Sequence, residues 1–199
     1  MTIADAPHAH ESVAPSDWVR RYAHLVRTGA RVLDVACGAG RHARFFAARG
    51  AHVVAVDRDA GAIAALHDAT NVDARVADIE TGAWPFGADL FDAIVVVNYL
   101  HRPLLSQLRG SLAPGGVLLY DTFAQGNELH GRPRNPAFLL APGELLTLAA
   151  QPPPLTVVAY EQGVVRRAGG TAVVQRLAAV ASGFPWPPPL TGAAPEQGI

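Results

Sequence analysis

A run of mostly apolar, largely β-branched residues at positions 91–97 (FDAIVVV) most constrains how this chain can fold. A strand that is apolar on both faces must be covered on both sides, which is typical of a parallel sheet packed between helices. Further strands are predicted at 31–36, 52–56, 73–77 and 117–123, and helices at 16–27, 40–49, 59–68 and from 103 onward. This alternation predicts an α/β fold with a doubly wound, mostly parallel sheet and helices on both faces.

The last third of the chain predicts a different arrangement. Residues 124–136 are polar and read as a loop, and a short helix at 142–150 follows. Strand-like segments at 155–165 and 171–181 flank the sequence RRAGG, which predicts a closing antiparallel hairpin. We therefore expect one domain over residues 16–183, a loose lead-in at 1–15 and an extended, proline-rich tail at 184–199.

The bulk composition limits the class of protein. A chain of 199 residues with 50% hydrophobic residues can bury one core. The net charge of −1 offers no basic excess, so a nucleic-acid partner is not expected. The single cysteine, Cys37, rules out an intramolecular disulfide, and neither a secretory leader nor a long apolar span is apparent. We expect a cytoplasmic protein without a membrane partner.

Residues 32–42 (VLDVACGAGRH) place a glycine-rich turn between a predicted strand and a predicted helix. Gly38 and Gly40 let a ligand approach the backbone, and the helix start offers unpaired N–H groups. Asp57, at the end of the second predicted strand, can accept hydrogen bonds from both hydroxyls of a ribose. These residues indicate an adenosine-containing ligand, although the same glycines also satisfy the dinucleotide pattern G-x-G-x-x-G/A.

Two acidic positions favour a cationic ligand over a diphosphate. Asp34 lies inside the first predicted strand, where a carboxylate would repel a diphosphate and attract the charged amino group of an amino acid. Asp78 and Ile79 follow the third predicted strand, where they can accept a hydrogen bond from an adenine amino group and pack on its ring.

On these residues the chain resembles a class I S-adenosylmethionine-dependent methyltransferase, similar to small single-domain members such as the tellurite-resistance methyltransferases. The resemblance covers about residues 17–181 and is most specific over 31–123. It implies a Rossmann-like, seven-stranded sheet of order 3-2-1-4-5-7-6 with an antiparallel last-added strand. It also implies S-adenosyl-L-methionine as the cofactor.

The resemblance assigns roles by position. It implies contacts to the methionine end from Asp34, Ala36, Gly38 and Gly40, to the ribose from Asp57 with Arg58 beside it, to adenine from Asp78 and Ile79, and to the methyl-transfer pocket from Asn98 and Tyr99. Ala36 departs from the family, which commonly has glycine there. We expect altered packing of the turn and retained binding.

Methyl transfer from a sulfonium depends mainly on orienting the acceptor, because the methyl group is already electrophilic. If the acceptor must lose a proton, Tyr99, His101, Asp121 and Glu128 are candidate bases, whereas a soft anion or thiolate needs none. Residues 98–101 (NYLH) lack the Asn/Asp-Pro-Pro-aromatic motif used for exocyclic amines, which disfavours a nucleobase amine.

The predicted function is methyl transfer to a small molecule. No metal is expected, because the histidines lack carboxylates at ligand spacing. Cys37 is interpreted as a small residue filling the turn, and the loop at 124–136 as part of the substrate pocket or its lid. Two alternatives stay open: a nicotinamide-dependent oxidoreductase, which shares the glycine pattern, and a non-catalytic module that binds S-adenosylmethionine and scaffolds a partner.

Overall fold

The computed structural model describes residues 14–167 and 170–189, which contain a seven-stranded sheet. The strands are β1 (Arg31–Val35), β2 (His52–Asp57), β3 (Val72–Val76), β4 (Phe91–Val97), β5 (Leu112–Phe123), β6 (Thr156–Arg167) and β7 (Gly170–Val180). Their order is β3-β2-β1-β4-β5-β7-β6, with parallel neighbours from β3 to β5 and β7 antiparallel to both β5 and β6. The predicted fold class, strand order and closing hairpin are confirmed.

Alternate residues of the central strands pack into opposite layers. In β4, Val95 and Val97 belong to one core cluster, whereas Ile94 and Val96 belong to the other. The helices are α1 (Asp17–Tyr22), α2 (Arg41–Ala48), α3 (Ala60–Ala64), α4 (Leu105–Gly110) and α5 (Glu144–Ala150). Buried residues of α1, α2 and α3 join the first cluster and those of α4 and α5 the second, so helices cover both faces.

Two predicted helices are shorter in the structure. The first ends at Tyr22 and the third at Ala64, several residues before the predicted ends. Beyond α3 the chain turns so that the buried side chain of Leu66 packs against Gly40. A contact between distant segments therefore accompanies the end of this helix, and local sequence periodicity cannot show it.

β5 is longer than predicted. It begins at Leu112 rather than at 117, and its pairing with β4 is irregular between Phe91 and Ala93. The predicted turn at 113–116 thus lies within an irregular start of the strand, where Gly115 has a φ of 73°. The prediction of a separate turn at this point is wrong.

The two ends of the chain lie partly outside the described residues, which omit 1–13 and 190–199. The predicted lead-in and tail therefore stay predictions over those ranges. The described start of the tail lies on the domain, because Phe184 packs against the first core cluster and the carbonyl oxygen of Pro189 lies 2.9 Å from His24 Nε2. Among the described residues, no helix combines the length and the apolar character that a membrane crossing needs.

The carboxyl ends of the parallel strands meet at one edge of the sheet. The register pairs Asp34 with Ala55 and Asp57 with Val76, so the ends of β1, β2 and β3 lie side by side. In open sheets of this kind, ligands bind beyond this edge. It is therefore the place where the candidate residues must meet.

Candidate active site

Asp34 is a buried carboxylate near the end of β1, with 1% of its surface exposed. The backbone N–H of Ala43 stabilises its charged form, but its Oδ2 atom has no hydrogen-bond partner among the described residues. Burial raises the pKa of Asp34 from 3.8 to about 7; the nearby charge of Asp57 adds to this, and Ala43 and Arg41 oppose it. An unpaired, buried carboxylate oxygen fits a cationic ligand such as an ammonium group.

The loop from β1 to α2 repeatedly takes a left-handed conformation. Ala36, Gly38 and Gly40 have φ values of 50°, 55° and 76°. A Cβ atom at Gly40 would collide with the Leu66 side chain, so glycine is needed there for space as well as for conformation. Ala36 thus carries backbone strain, in addition to the altered packing expected from the sequence.

Asp57 joins the end of β2 to the glycine-rich loop. Its Oδ2 accepts a hydrogen bond from the Gly38 N–H at 2.8 Å, and its Oδ1 accepts one from the Asp59 N–H at 2.9 Å. Each carboxylate oxygen can accept a second donor, so the group keeps capacity for ligand hydroxyls. The loop therefore fixes this carboxylate at the ligand-binding edge of the sheet.

Asp78 is exposed and caps the turn that follows β3. It accepts hydrogen bonds from the backbone N–H groups of Glu80 and Thr81 and from the Thr81 hydroxyl. These bonds, that from the Glu80 N–H first, lower the pKa of Asp78, and the charge of Arg58 contributes. Ile79 is buried in the second core cluster. Capping of the turn is observed, and contact with adenine stays a prediction.

A second polar cluster forms where β4 ends. The Tyr99 hydroxyl oxygen is buried without a hydrogen bond of good geometry among the described residues. Burial, followed by the neighbouring charge of Glu80, raises the pKa of Tyr99 above its ordinary value. Glu80 Oε2 also lies 4.0 Å from His101 Nδ1. Tyr99 therefore stays protonated and is a hydrogen-bond donor rather than a base, whereas His101 has a carboxylate beside it.

Comparison with known proteins finds a family match over part of the chain. Residues 32–116, which run from β1 into β5, match a family model described as a methyltransferase domain. Over these residues the match supports the methyltransferase family predicted from the sequence.

Individual relatives are similar over different shares of the chain. Malonyl-[acyl-carrier protein] O-methyltransferase of Salmonella typhimurium is 36% identical over 110 residues, which are 51% of this chain and 42% of that protein. The structure of TehB from Haemophilus influenzae is similar with a TM-score of 0.68 at 19% identity, covering 83% of this chain and 62% of that one. A 1,6-didemethyltoxoflavin-N1-methyltransferase from Burkholderia thailandensis, solved with S-adenosylhomocysteine bound, gives 0.62 at 20% identity, covering 87% and 80%.

At 19% and 20% identity, the solved structures establish the fold alone. The chain spans less than half the length of the curated relatives that it matches.

Asp121, predicted as a candidate base, is instead part of a buried structural network. Its Oδ2 accepts a hydrogen bond from the Ser16 hydroxyl at 2.9 Å, and its Oδ1 accepts one from Arg176 Nε at 3.2 Å. Only 1% of its surface is exposed. Both carboxylate oxygens are bound to structural partners and the group is closed to solvent, so the geometry does not single out Asp121 as a base.

Glu128, another predicted candidate base, is also held locally. Glu128 Oε2 accepts a hydrogen bond from the Gly126 N–H at 2.8 Å, so the geometry does not single it out as a base. Arg132 and Arg134 are exposed on the same loop. Within the described ranges, no group of three or more His, Cys, Asp or Glu side chains could hold a metal ion.

Two contacts near the candidate site had no clear signal in the sequence. His42 is buried beside Asp34, although its place directly after the glycine-rich turn, on the inward face of α2, could have marked it. Arg102 forms a two-pronged ion pair with Glu144, with contacts of 2.7 and 2.8 Å. This ion pair connects the chain after β4 to α5. Its two partners are so far apart in sequence that no local pattern predicts their pairing.

Proposed function

We propose that this protein transfers a methyl group from S-adenosyl-L-methionine to a small molecule. The observation that carries the proposal is the buried Asp34 carboxylate with its unpaired Oδ2, directly beside the glycine-rich loop. The amino group of the cofactor's methionine end would supply the missing positive charge. A dinucleotide would instead bring a diphosphate towards this carboxylate, which is electrostatically unfavourable.

The remaining cofactor contacts follow the order of the strands. Ala36, Gly38 and Gly40 would let the methionine end approach the loop, and Asp57 would accept the ribose hydroxyls with Arg58 beside it. Asp78 and Ile79 would border adenine, and Asn98 and Tyr99 would line the space near the methyl group. The observed placement of these groups along the carboxyl edge of β1–β4 supports this assignment.

Methyl transfer requires the protein to orient the acceptor and to exclude water from the site. It does not require a covalent intermediate with the protein. When bound, the cofactor supplies a methyl group that its sulfonium makes electrophilic. Tyr99, which stays protonated, would donate a hydrogen bond at the pocket wall. His101, beside Glu80, would take a proton from an acceptor that must lose one.

A small-molecule acceptor is supported by what the similar proteins are named for. The solved Burkholderia thailandensis relative contains 1,6-didemethyltoxoflavin, and a demethylmenaquinone methyltransferase of Clavibacter sepedonicus is 35% identical over 103 residues. The formal net charge of −1 gives no general attraction for a nucleic acid.

The proposal is tested first by equilibrium binding. Calorimetry should detect micromolar binding of S-adenosylhomocysteine and hardly any binding of NAD(H). Asp57→Ala should weaken S-adenosylhomocysteine binding by about 1.5–3 kcal/mol, the range for a hydrogen bond to a charged group. Asp59→Ala is the matched control, because Asp59 caps α3 through the Gly61 and Ala62 N–H groups. Tight NAD(H) binding without S-adenosylhomocysteine binding would identify an oxidoreductase.

Turnover separates an enzyme from a scaffold. Labelled S-adenosylmethionine is incubated with the protein and a panel of metabolites and oxyanions, and we expect label in at least one acceptor. Cofactor binding with no transfer across the panel would favour the non-catalytic module.

A further inference from the structure

His42 occupies a buried position between the cofactor carboxylate and the first helix. Only 3% of its surface is exposed, and its Nε2 accepts a hydrogen bond from the backbone N–H of Ser16 at 3.1 Å. An accepting Nε2 places the ring proton on Nδ1 of the neutral imidazole. That Nδ1 lies 4.0 Å from Asp34 Oδ1, while Oδ2 of the same carboxylate is the atom without a partner.

Ser16 connects this arrangement to strands β5 and β7. Its hydroxyl donates to Asp121 Oδ2 at 2.9 Å and accepts from the Val19 N–H at 3.3 Å, which caps α1. Asp121 belongs to β5 and is bound in turn by Arg176 of β7. The start of α1 is thus held at two points, by α2 beside the glycine-rich loop and by the β5–β7 pair.

We propose that His42 is a positioning residue that links the cofactor carboxylate Asp34 to the backbone of Ser16, so that cofactor binding and the docking of α1 strengthen each other. This inference rests on the proposed function, because it requires a ligand that binds Asp34. His42 does not touch the reacting atoms. It acts through the orientation of Asp34 and of the helix start.

The physical basis is a single ring with two polar contacts on opposite sides. Burial lowers the pKa of His42 to about 3, with a contribution from the charge of Arg41, so the ring stays neutral. A neutral ring that gives its only proton to the Asp34 side must accept from Ser16 on the other side. A cation bound at Oδ2 keeps Asp34 charged, which favours this tautomer and therefore the bond to Ser16. Linkage is reciprocal: the factor by which the bound cofactor strengthens the Ser16–His42 bond is also the factor by which that bond strengthens cofactor binding. Loss of the bond must therefore weaken cofactor binding by this factor.

Ser16 allows the bond to be removed without changing His42. Its φ is −54°, which proline can adopt, so Ser16→Pro removes the N–H donor with the backbone conformation retained. Ser16→Ala measures the loss of the hydroxyl alone. We expect Ser16→Pro to weaken S-adenosylhomocysteine binding by about a further tenfold relative to Ser16→Ala.

Variants of His42 test the same bond from the other side. His42→Phe keeps a ring in the cavity but removes both nitrogen atoms, and should weaken S-adenosylhomocysteine binding by about tenfold. His42→Gln places an amide oxygen near the position of Nε2 and should recover part of that loss. The double variant Ser16→Pro/His42→Phe should lose no more than either single change, since both remove the same interaction.

Amide hydrogen exchange supplies a readout that a purely structural role would not change. In the unaltered protein, S-adenosylhomocysteine should slow the exchange of the α1 amides, and in His42→Phe this ligand effect should disappear. If the unaltered protein does not bind S-adenosylhomocysteine, the proposed function fails and the inference with it. If the ligand binds and the affinities of Ser16→Pro and His42→Phe stay unchanged, the positioning role is overturned while the proposed function stands.

Discussion

Asp34 shows how a group proposed to bind a ligand can oppose the stability of the fold that contains it. A buried carboxylate with an unpaired oxygen is destabilising when charged, which is why its pKa is raised to about 7. The folded protein therefore binds this proton more tightly than the unfolded chain does. The stability that this tighter proton binding contributes is present in full below pH 3.8. It decreases as the pH rises above 3.8 and is lost as the pH passes through about 7.

Replacing the carboxylate by an amide should therefore separate stability from binding. At pH 8, Asp34→Asn should raise the free energy of unfolding by about 1–3 kcal/mol, because the buried charge is removed. The same variant should lose most of its affinity for S-adenosylhomocysteine. Urea unfolding at pH 8 and pH 5 measures the first effect, which should be smaller at pH 5, where the folded protein holds Asp34 neutral, and should vanish only below pH 3.8, where the unfolded chain holds the proton as well. Equal gains at both pH values would contradict this explanation.

Cofactor affinity should also depend on pH through Asp34. Below about pH 7 the ligand-free carboxyl group holds a proton that must leave before a cation binds. Affinity for S-adenosylhomocysteine should thus fall by up to about tenfold per pH unit below 7 and level off above it. Calorimetry in two buffers of different ionisation enthalpy should detect the released proton. Asp34→Asn, which cannot titrate, should show no such slope.

Ala36 illustrates conformational strain in the turn after β1. With a φ of 50°, it occupies a region where a Cβ atom is unfavourable. Ala36→Gly should raise the free energy of unfolding by about 0.5–1 kcal/mol in urea denaturation. The control Ala47→Gly, in the regular backbone of α2, should lower it by about 1 kcal/mol. A loss of stability in Ala36→Gly would show that the alanine methyl group contributes more than the strain costs.

Among the elements, the loop after β5 is held by the buried side chain of Asn127. Asn127 is 1% exposed; its Nδ2 donates to the Pro133 carbonyl oxygen at 3.1 Å and its Oδ1 accepts from the Val173 N–H at 3.0 Å. One side chain thus holds the loop to itself and to β7. The proposed lid is consequently anchored at one end while residues such as Leu129 are exposed.

Removing this anchor should loosen the loop more than the sheet. Asn127→Ala leaves two backbone groups without partners, at about 1–3 kcal/mol for each that stays buried. We expect faster proteolysis within 128–135 and faster exchange of the Val173 amide. Asn135→Ala, which removes only a turn cap to the Ala137 N–H, is the matched control. Equal protease sensitivity of the two variants would argue against Asn127 as the anchor.

Element boundaries show where sequence reasoning reaches its limit. The strands were found because apolar, β-branched runs are a local property, as in β4. The end of α3 was misplaced because it coincides with the packing of Leu66 against Gly40, which no local pattern encodes. The glycine-rich loop was predictable for the opposite reason, since its residues are contiguous.

At the scale of the whole molecule, the part of the candidate site that depends on local sequence was predictable, and the part that depends on distant contacts was not. The positions of Asp34 and Asp57 at the carboxyl edge of the sheet were predictable, because both lie at or near a strand end close to the glycine motif. The contacts of Ser16 with His42 and Asp121 span 26 and 105 positions of sequence, and only the folded chain reveals them. The family match ends at residue 116, so β6, β7 and the loop before them lie outside it.

Cys37 gives this molecule an internal reporter. Its thiol is buried within the glycine-rich loop, and burial, with the charges of Asp34 and Asp57, raises its pKa. Because a thiol reacts as the thiolate, alkylating reagents can modify the folded protein only when this loop opens. The chain contains one cysteine, so the rate of modification would report the opening of that single segment, with no label introduced by mutation.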